Sequence, residues 1–134
     1  MTSKPVGTLA VVDVPDSCGN APRRAILRDF TISLYAKQMH ELTEMLNDDV
    51  QWHLIGSQVL TGAEQVRGWV TEEPAVVKLS IHTIITHGRE GGVDGVIERA
   101  DGAAAGFCHV IAFAGATKTA KIKEIRSYTI SIPK

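Results

Sequence analysis

The chain has 134 residues, 44% hydrophobic and 22% charged, the balance of one soluble globular domain with a single core. Its formal net charge is −1, and apart from Arg23-Arg24 and Lys118–Lys123 the basic residues are scattered. That argues against a nucleic-acid surface, whose affinity comes largely from clustered Lys and Arg. No apolar run is long enough to span a membrane. Cys18 and Cys108 match no metal or redox spacing and read as free thiols. Leu9–Val12 is too short for a secretory core and is interrupted by Asp13, so the cytoplasm is the expected compartment.

Residues 1–19 hold Pro5, Gly7, Pro15, Asp16 and Gly19 and predict an irregular arm whose Leu9-Ala10-Val11-Val12 can dock on the body. The domain proper is expected over 20–134. Asn20 and Pro22 open a helix, and Ile26, Leu27, Phe30, Leu34 and Tyr35 recur on one stripe of it. Met39, Leu42, Met45 and Leu46 make one face of a second helix, stopped by Asn47-Asp48-Asp49.

Val50–Ile55 alternates with period two, with Val50, Trp52 and Leu54 on one face and Gln51, His53 and Ile55 on the other. Gly56–Gln58 predicts a turn and Val59-Leu60 a short strand. Thr61-Gly62 leads into a short helix, Ala63–Val70, that ends before Pro74. From Val76 the chain predicts four strands, Val76–His87, Val93–Arg99, Ala104–Ala114 and Lys121–Ile132, with turns at Gly91-Gly92, Asp101-Gly102 and Gly115–Thr117. Helices first and a strand meander after them predict an α+β fold. A strongly curved sheet wrapped on those helices leaves a concave end, where small-molecule sites lie.

This order resembles the nuclear transport factor 2-like superfamily of cone-shaped α+β barrels, which includes ketosteroid isomerases, scytalone dehydratases and SnoaL-like polyketide cyclases. The resemblance covers about residues 20–132. It rests on Asn47–Trp52 before the first long strand, Gly62 opening the short helix, and Lys121–Tyr128 as the last strand. It implies a cystatin-like α+β barrel, a curved mixed or antiparallel sheet around two to three N-terminal helices. It also implies a homodimer paired through the outer face of its sheet.

The resemblance implies site residues as well. In ketosteroid isomerases the general-base Asp lies a fixed step before the glycine that opens the short helix, and that step back from Gly62 reaches His53. The oxyanion-hole Asp lies four residues before an aromatic on the penultimate strand, and the same step back from Phe113 reaches His109. The partner tyrosine of that family falls near Asp29 and Phe30, where no tyrosine stands; Tyr35 lies a turn or more further on. His82 and Tyr35 match a histidine and a tyrosine of scytalone dehydratase-like proteins, and Ala36 replaces the Asp expected beside that tyrosine.

A neutral imidazole exchanges protons near pH 7, so His53, His109 and His82 are candidate acid–base residues, with Asp29 a candidate pocket acid. The plainer readings are hydrogen-bonded or solvated histidines and, for Asp29, the polar face of the helix. Tyr35, Trp69, Phe30, Phe107 and Ile111 are candidates to line an apolar pocket, or simply core or interface side chains. No metal set and no cofactor is implied. The expectation is a small apolar, carbonyl-bearing molecule in the cone, acted on by His53 as base and His109 as polarising donor. The alternative is a non-catalytic ligand-binding or dimeric assembly domain on the same scaffold.

Overall fold

A computed structural model describes residues 4–7, 9–15, 22–117 and 119–133. Cys18 and the expected cap Asn20 lie outside them. Eleven elements follow one another: β1 (Lys4–Val6), β2 (Leu9–Asp13), α1 (Pro22–Tyr35), α2 (Met39–Glu44), β3 (Leu46–Leu54), β4 (Gln58–Thr61), α3 (Gly62–Glu72), β5 (Val76–His87), β6 (Glu90–Arg99), β7 (Ala104–Phe113) and β8 (Ile122–Ile132). The strands form one sheet in the order β1-β2-β5-β6-β7-β8-β3-β4. Pairing is antiparallel except at β2–β5 and β3–β8, so the sheet is mixed. The α+β expectation holds.

Three local readings differ, the first being the turn expected at Gly91-Gly92, which lies inside β6 while the chain turns at Gly88-Arg89. The N-terminal segment is not an irregular arm, because β1 and β2 extend the sheet and bury Leu9 and Val11 in the core. Four apolar residues in a row suffice for a strand once a neighbour offers its edge, and that neighbour, β5, lies over sixty residues away in sequence. Asn47-Asp48-Asp49, expected to stop a helix, belong to β3, where a register shift between Leu46 and Gln51 leaves Asp48 and Asp49 exposed.

α1 buries Leu27, Phe30 and Leu34 of the stripe that its periodicity predicts against the concave side of the sheet, while Ile26 and Tyr35 are half-buried. It ends where Lys37 takes a left-handed conformation, φ 56°. The Lys37 ammonium donates to the carbonyls of Thr71 and Glu73, tying the end of α1 to the end of α3. α3 opens at Gly62, φ 81°, where Gln65 Oε1 accepts from the Thr61 amide at 2.8 Å and satisfies a backbone donor at the helix start.

In β7 the odd residues 105–113 are buried and the even ones half-buried, so a single row of β7 side chains faces the core. Phe30, Trp52, Ile111, Phe113 and Ile125 form the centre of that core. At the far end of the molecule Arg23 stacks 4.2 Å over the Phe113 ring and donates to the Gly115 and Thr117 carbonyls, each at 2.8 Å. It thereby fastens the turn after β7 to α1.

Candidate functional site

His109 is the polar exception in the buried row of β7. It is 2% exposed, between Phe107 and Ile111 on the same face. The Phe107 ring stacks on it at 5.2 Å, and Phe30 meets it edge-on at 5.7 Å. A polar ring in such surroundings needs partners, and two elements supply them. Tyr35, the last residue of α1, places Oη 2.9 Å from His109 Nε2. Ser127, directly across the β7–β8 ladder, places Oγ 2.6 Å from Nδ1. Ser127 Oγ also accepts from the indole N–H of Trp52 on β3 at 2.8 Å. Four residues from α1, β3, β7 and β8 thus form one continuous polar chain inside the core.

The chain ends at a cavity of about 230 Å³ bounded by Tyr35, His109 and Ser127. Leu34, Leu54, Trp69 and Ile97 supply its apolar wall, while Glu73, Arg99, Ser57 and Thr129 add polar groups. The volume lies just under the range usual for drug-sized ligands, which suits a smaller molecule. A narrower extension continues past Tyr35 and Glu73 to Lys37, Pro74 and Val76.

Burial dominates the electrostatics. It pushes the His109 imidazole down to about 3, so the ring is neutral at physiological pH. Burial also pushes the Tyr35 phenol far above its ordinary value; the Arg99 charge opposes that shift and the Glu73 charge adds to it. The pair is a neutral hydrogen-bonding unit, suited to polarising a ligand oxygen.

The structure brings His109, Tyr35 and Trp69 to the cavity, with Phe107 and Phe30 packed around the imidazole. Ile111 is fully buried one step further into the core. His53 is not with them. In β3 the core-facing residues are Val50 and Trp52, so His53 points to the opposite, outer face, where Nε2 lies 3.5 Å from a Glu124 oxygen. The cross-strand row Ile85–Gly92–Val110–Arg126–His53–Val59 runs along that outer face. His82 sits at a register shift in β5 and is exposed, away from the cavity. Asp29 is exposed on α1, 3.1 Å from the Arg28 guanidinium, and borders a shallow surface groove instead. The expected convergence of three histidines therefore does not occur, because neighbouring strand residues point to opposite faces and the core claims the face of Trp52. Among the described residues no group of three His, Cys, Asp or Glu is placed to hold a metal ion. Among the described residues no helix is long and apolar enough to cross a membrane.

Ser127, Glu73 and Arg99 went unrecognised in the sequence. A buried Trp indole signals a nearby acceptor, but only the β7–β8 register identifies it as Ser127.

The arrangement of helices and curved mixed sheet has structural parallels. A nuclear transport factor 2-like protein of unknown function from Burkholderia xenovorans superposes with a TM-score of 0.74 at 13% identity, covering 88% of this chain and 90% of that one. This is the nuclear transport factor 2-like fold. A ketosteroid isomerase candidate from Kribbella flavida shares it with a TM-score of 0.66 at 16% identity, covering 84% of this chain and 81% of that one. A SnoaL-like polyketide cyclase candidate from Shewanella denitrificans does so at 0.67 and 11%, covering 82% and 91%. No family model matches the sequence, and no curated protein does. Within the nuclear transport factor 2-like cone, function rests on the side chains at the cavity, since the fold hosts many activities.

Proposed function

We propose that this protein binds a small, largely apolar molecule in the cone cavity and holds its carbonyl oxygen on the Tyr35–His109 pair. The observation that carries this reading is a neutral, hydrogen-bonded phenol–imidazole pair at the end of a cavity walled on one side by Leu34, Leu54, Trp69 and Ile97. Preorganised neutral donors stabilise an oxygen that gains negative charge, which is what enolisation, dehydration and cyclisation of carbonyl compounds require. Glu73 is the carboxylate that lines the same cavity and is the candidate proton acceptor. The names ketosteroid isomerase and polyketide cyclase on two similar structures agree with an isomerase, dehydratase or cyclase type of reaction. His53, His82 and Asp29 have no part in it, as their side chains lie off the cavity.

The test uses acetophenone, which has a small apolar body and an enolisable carbonyl. Trp69 lines the cavity and reports binding by fluorescence, and deuterium exchange at the ketone's methyl group reports enolisation. Saturable binding with exchange above the buffer rate, lost in Glu73→Gln, supports the catalytic reading. Saturable binding without exchange supports the non-catalytic alternative. Absence of saturable binding overturns both.

We also propose that two copies pair through the outer face of the sheet. Tyr128, Ile130 and Ile132 project from β8 there at 40%, 72% and 40% exposure, an apolar strip of the kind that marks an interaction surface.

A further inference from the structure

We propose that the buried polar chain has a fixed direction, Trp52 to Ser127 to His109 to Tyr35, so that the Tyr35 hydroxyl proton is the one offered to the ligand. The ligand is then matched as an acceptor oxygen that carries or develops negative charge. The inference rests on the cavity reading above and names the chemistry of its occupant.

The direction follows from counting protons. Ser127 Oγ has one proton and two lone pairs, and the Trp52 indole, a donor only, occupies one lone pair. The contact with His109 Nδ1 is therefore either O–H···N or N–H···O. If Nδ1 held the proton, Ser127 would accept twice and its own proton would need a third partner. Ser127 is 5% exposed, and among the described residues Trp52 and His109 are the partners of its hydroxyl. Ser127 borders the cavity as Tyr35 does, but it is the more buried of the two, so its proton is the costlier one to leave without a protein partner. If Ser127 donates to Nδ1, the proton left over is instead that of the Tyr35 phenol, the less buried of the two hydroxyls. The 2.6 Å separation agrees, since O–H donors make shorter bonds than N–H donors.

The rest follows in order. A neutral imidazole that accepts at Nδ1 carries its proton at Nε2 and donates it to Tyr35 Oη. The phenolic proton then has no acceptor in the chain, and Tyr35 borders the cavity. Ser127 and Trp52 are positioning residues, which set the tautomer of His109 and through it the polarity of the site. The cation lining the cavity, Arg99, makes no ion pair and no side-chain hydrogen bond among the described residues. Glu73 lines the same cavity, so charge alone does not exclude a cationic occupant; the Tyr35 proton and Arg99 together favour an anionic oxygen.

Long-range proton–nitrogen NMR of the ligand-free protein tells a protonated ring nitrogen from a bare one, and His109→Gln assigns the signal. The expected result is a bare Nδ1 and a protonated Nε2; a protonated Nδ1 overturns the direction. Ser127→Ala is expected to move the proton to Nδ1, and the wild-type spectrum decides the matter even where that variant does not fold. The ligand class is tested by titrating benzoate, acetophenone and benzylamine against Trp69 fluorescence. Benzoate is expected to bind at least about tenfold more tightly than benzylamine, and Tyr35→Phe to weaken benzoate by about 10- to 100-fold, the usual worth of a hydrogen bond to a charged group. Tight benzoate marks a carried charge, whereas acetophenone with methyl exchange marks a developed one. Benzylamine binding as well as benzoate overturns the ligand class while acetophenone binding leaves the cavity reading intact. No binding of any of the three overturns both, and the NMR result still stands by itself.

Discussion

Tyr35 Oη lies 2.9 Å from His109 Nε2, joining the last residue of α1 to the middle of β7 across the inner end of the cone. The bond matters to the fold as well as to the site, because each partner is largely shielded from water and has little else to bond. Tyr35→Phe removes the hydroxyl and keeps the ring that packs 5.0 Å from Phe107. We expect a loss of about 1–2 kcal/mol in urea unfolding, the cost of a buried donor left without a partner. An unchanged midpoint would mean that water replaces the hydroxyl fully.

His109 makes stability depend on pH. Its folded pKa is lowered by burial to about 3, against an ordinary value of 6.5. Above about 6.5 neither state holds the proton. Between about 6.5 and 3 the unfolded chain takes it up and the folded chain does not, so stability falls as pH falls through that window. The slope is about 1.4 kcal/mol per pH unit at most, or about 2 kcal/mol between about pH 6.5 and pH 5. Urea midpoints at about pH 7.5 and pH 5 should differ by that much more in the wild type than in His109→Gln. Equal shifts in the two proteins would place the acid sensitivity elsewhere.

The same histidine shows how far the sequence reaches. Alternation in β7 is enough to put Phe107, His109 and Ile111 on one face, and that face is the buried one. Alternation in β3 likewise separates His53 from Trp52, but period two does not say which face is concave. The step back from Gly62 chose the wrong one, whereas the bulk of Trp52 and Val50 beside it points to the core. Ser127 and Arg99 were illegible for another reason. They reach the cavity through long-range register, Ser127 by its place opposite His109 in the β7–β8 ladder and Arg99 by its place opposite Val76 in the β5–β6 ladder. The N-terminal strands were likewise hidden, since their partner is the distant β5.

The corrected position of His53 has a direct consequence. Its contact with Glu124 at 3.5 Å is a partly exposed pairing on the outer face, a type worth little. His53→Ala should change stability by less than about 1 kcal/mol and leave acetophenone binding at the wild-type level. A clear loss of binding would require a path from the outer face to the cavity that these contacts do not provide.

Gly95 tests the support beneath the site. It pairs with Phe107 on one side and with Ile81 on the other. A Cβ there would fall 1.9 Å from the Ser80 carbonyl oxygen and 3.0 Å from the edge of the Phe107 ring. Backbone cannot yield as a side-chain tip does, so Gly95→Ala forces β5 and β6 apart. We expect a loss of about 3 kcal/mol, the upper part of the range for overpacking a core. Phe107 is the ring stacked on His109, so the displaced imidazole should also bind acetophenone less well. The alternative substitution Gly68→Ala, with open space at its Cβ and a helical position in α3, should be neutral or slightly stabilising.

The outer strip of β8 yields the last prediction. Tyr128 faces Cys108 across the ladder, Ile130 faces Gly106 and Ile132 faces Ala104, so three large apolar side chains stand over a row of small ones. A second copy can lay its own large residues on that row of small ones, and a two-fold axis makes the fit reciprocal. Ile130 is 72% exposed in the single chain and contributes little to its core. Ile130→Asp should therefore leave the monomer folded, while burying a charge in any paired interface. Sedimentation should show a dimer for the wild type and a monomer for the variant, with circular dichroism unchanged. A wild-type monomer at high concentration, or a variant that remains dimeric, would remove this face as the interface.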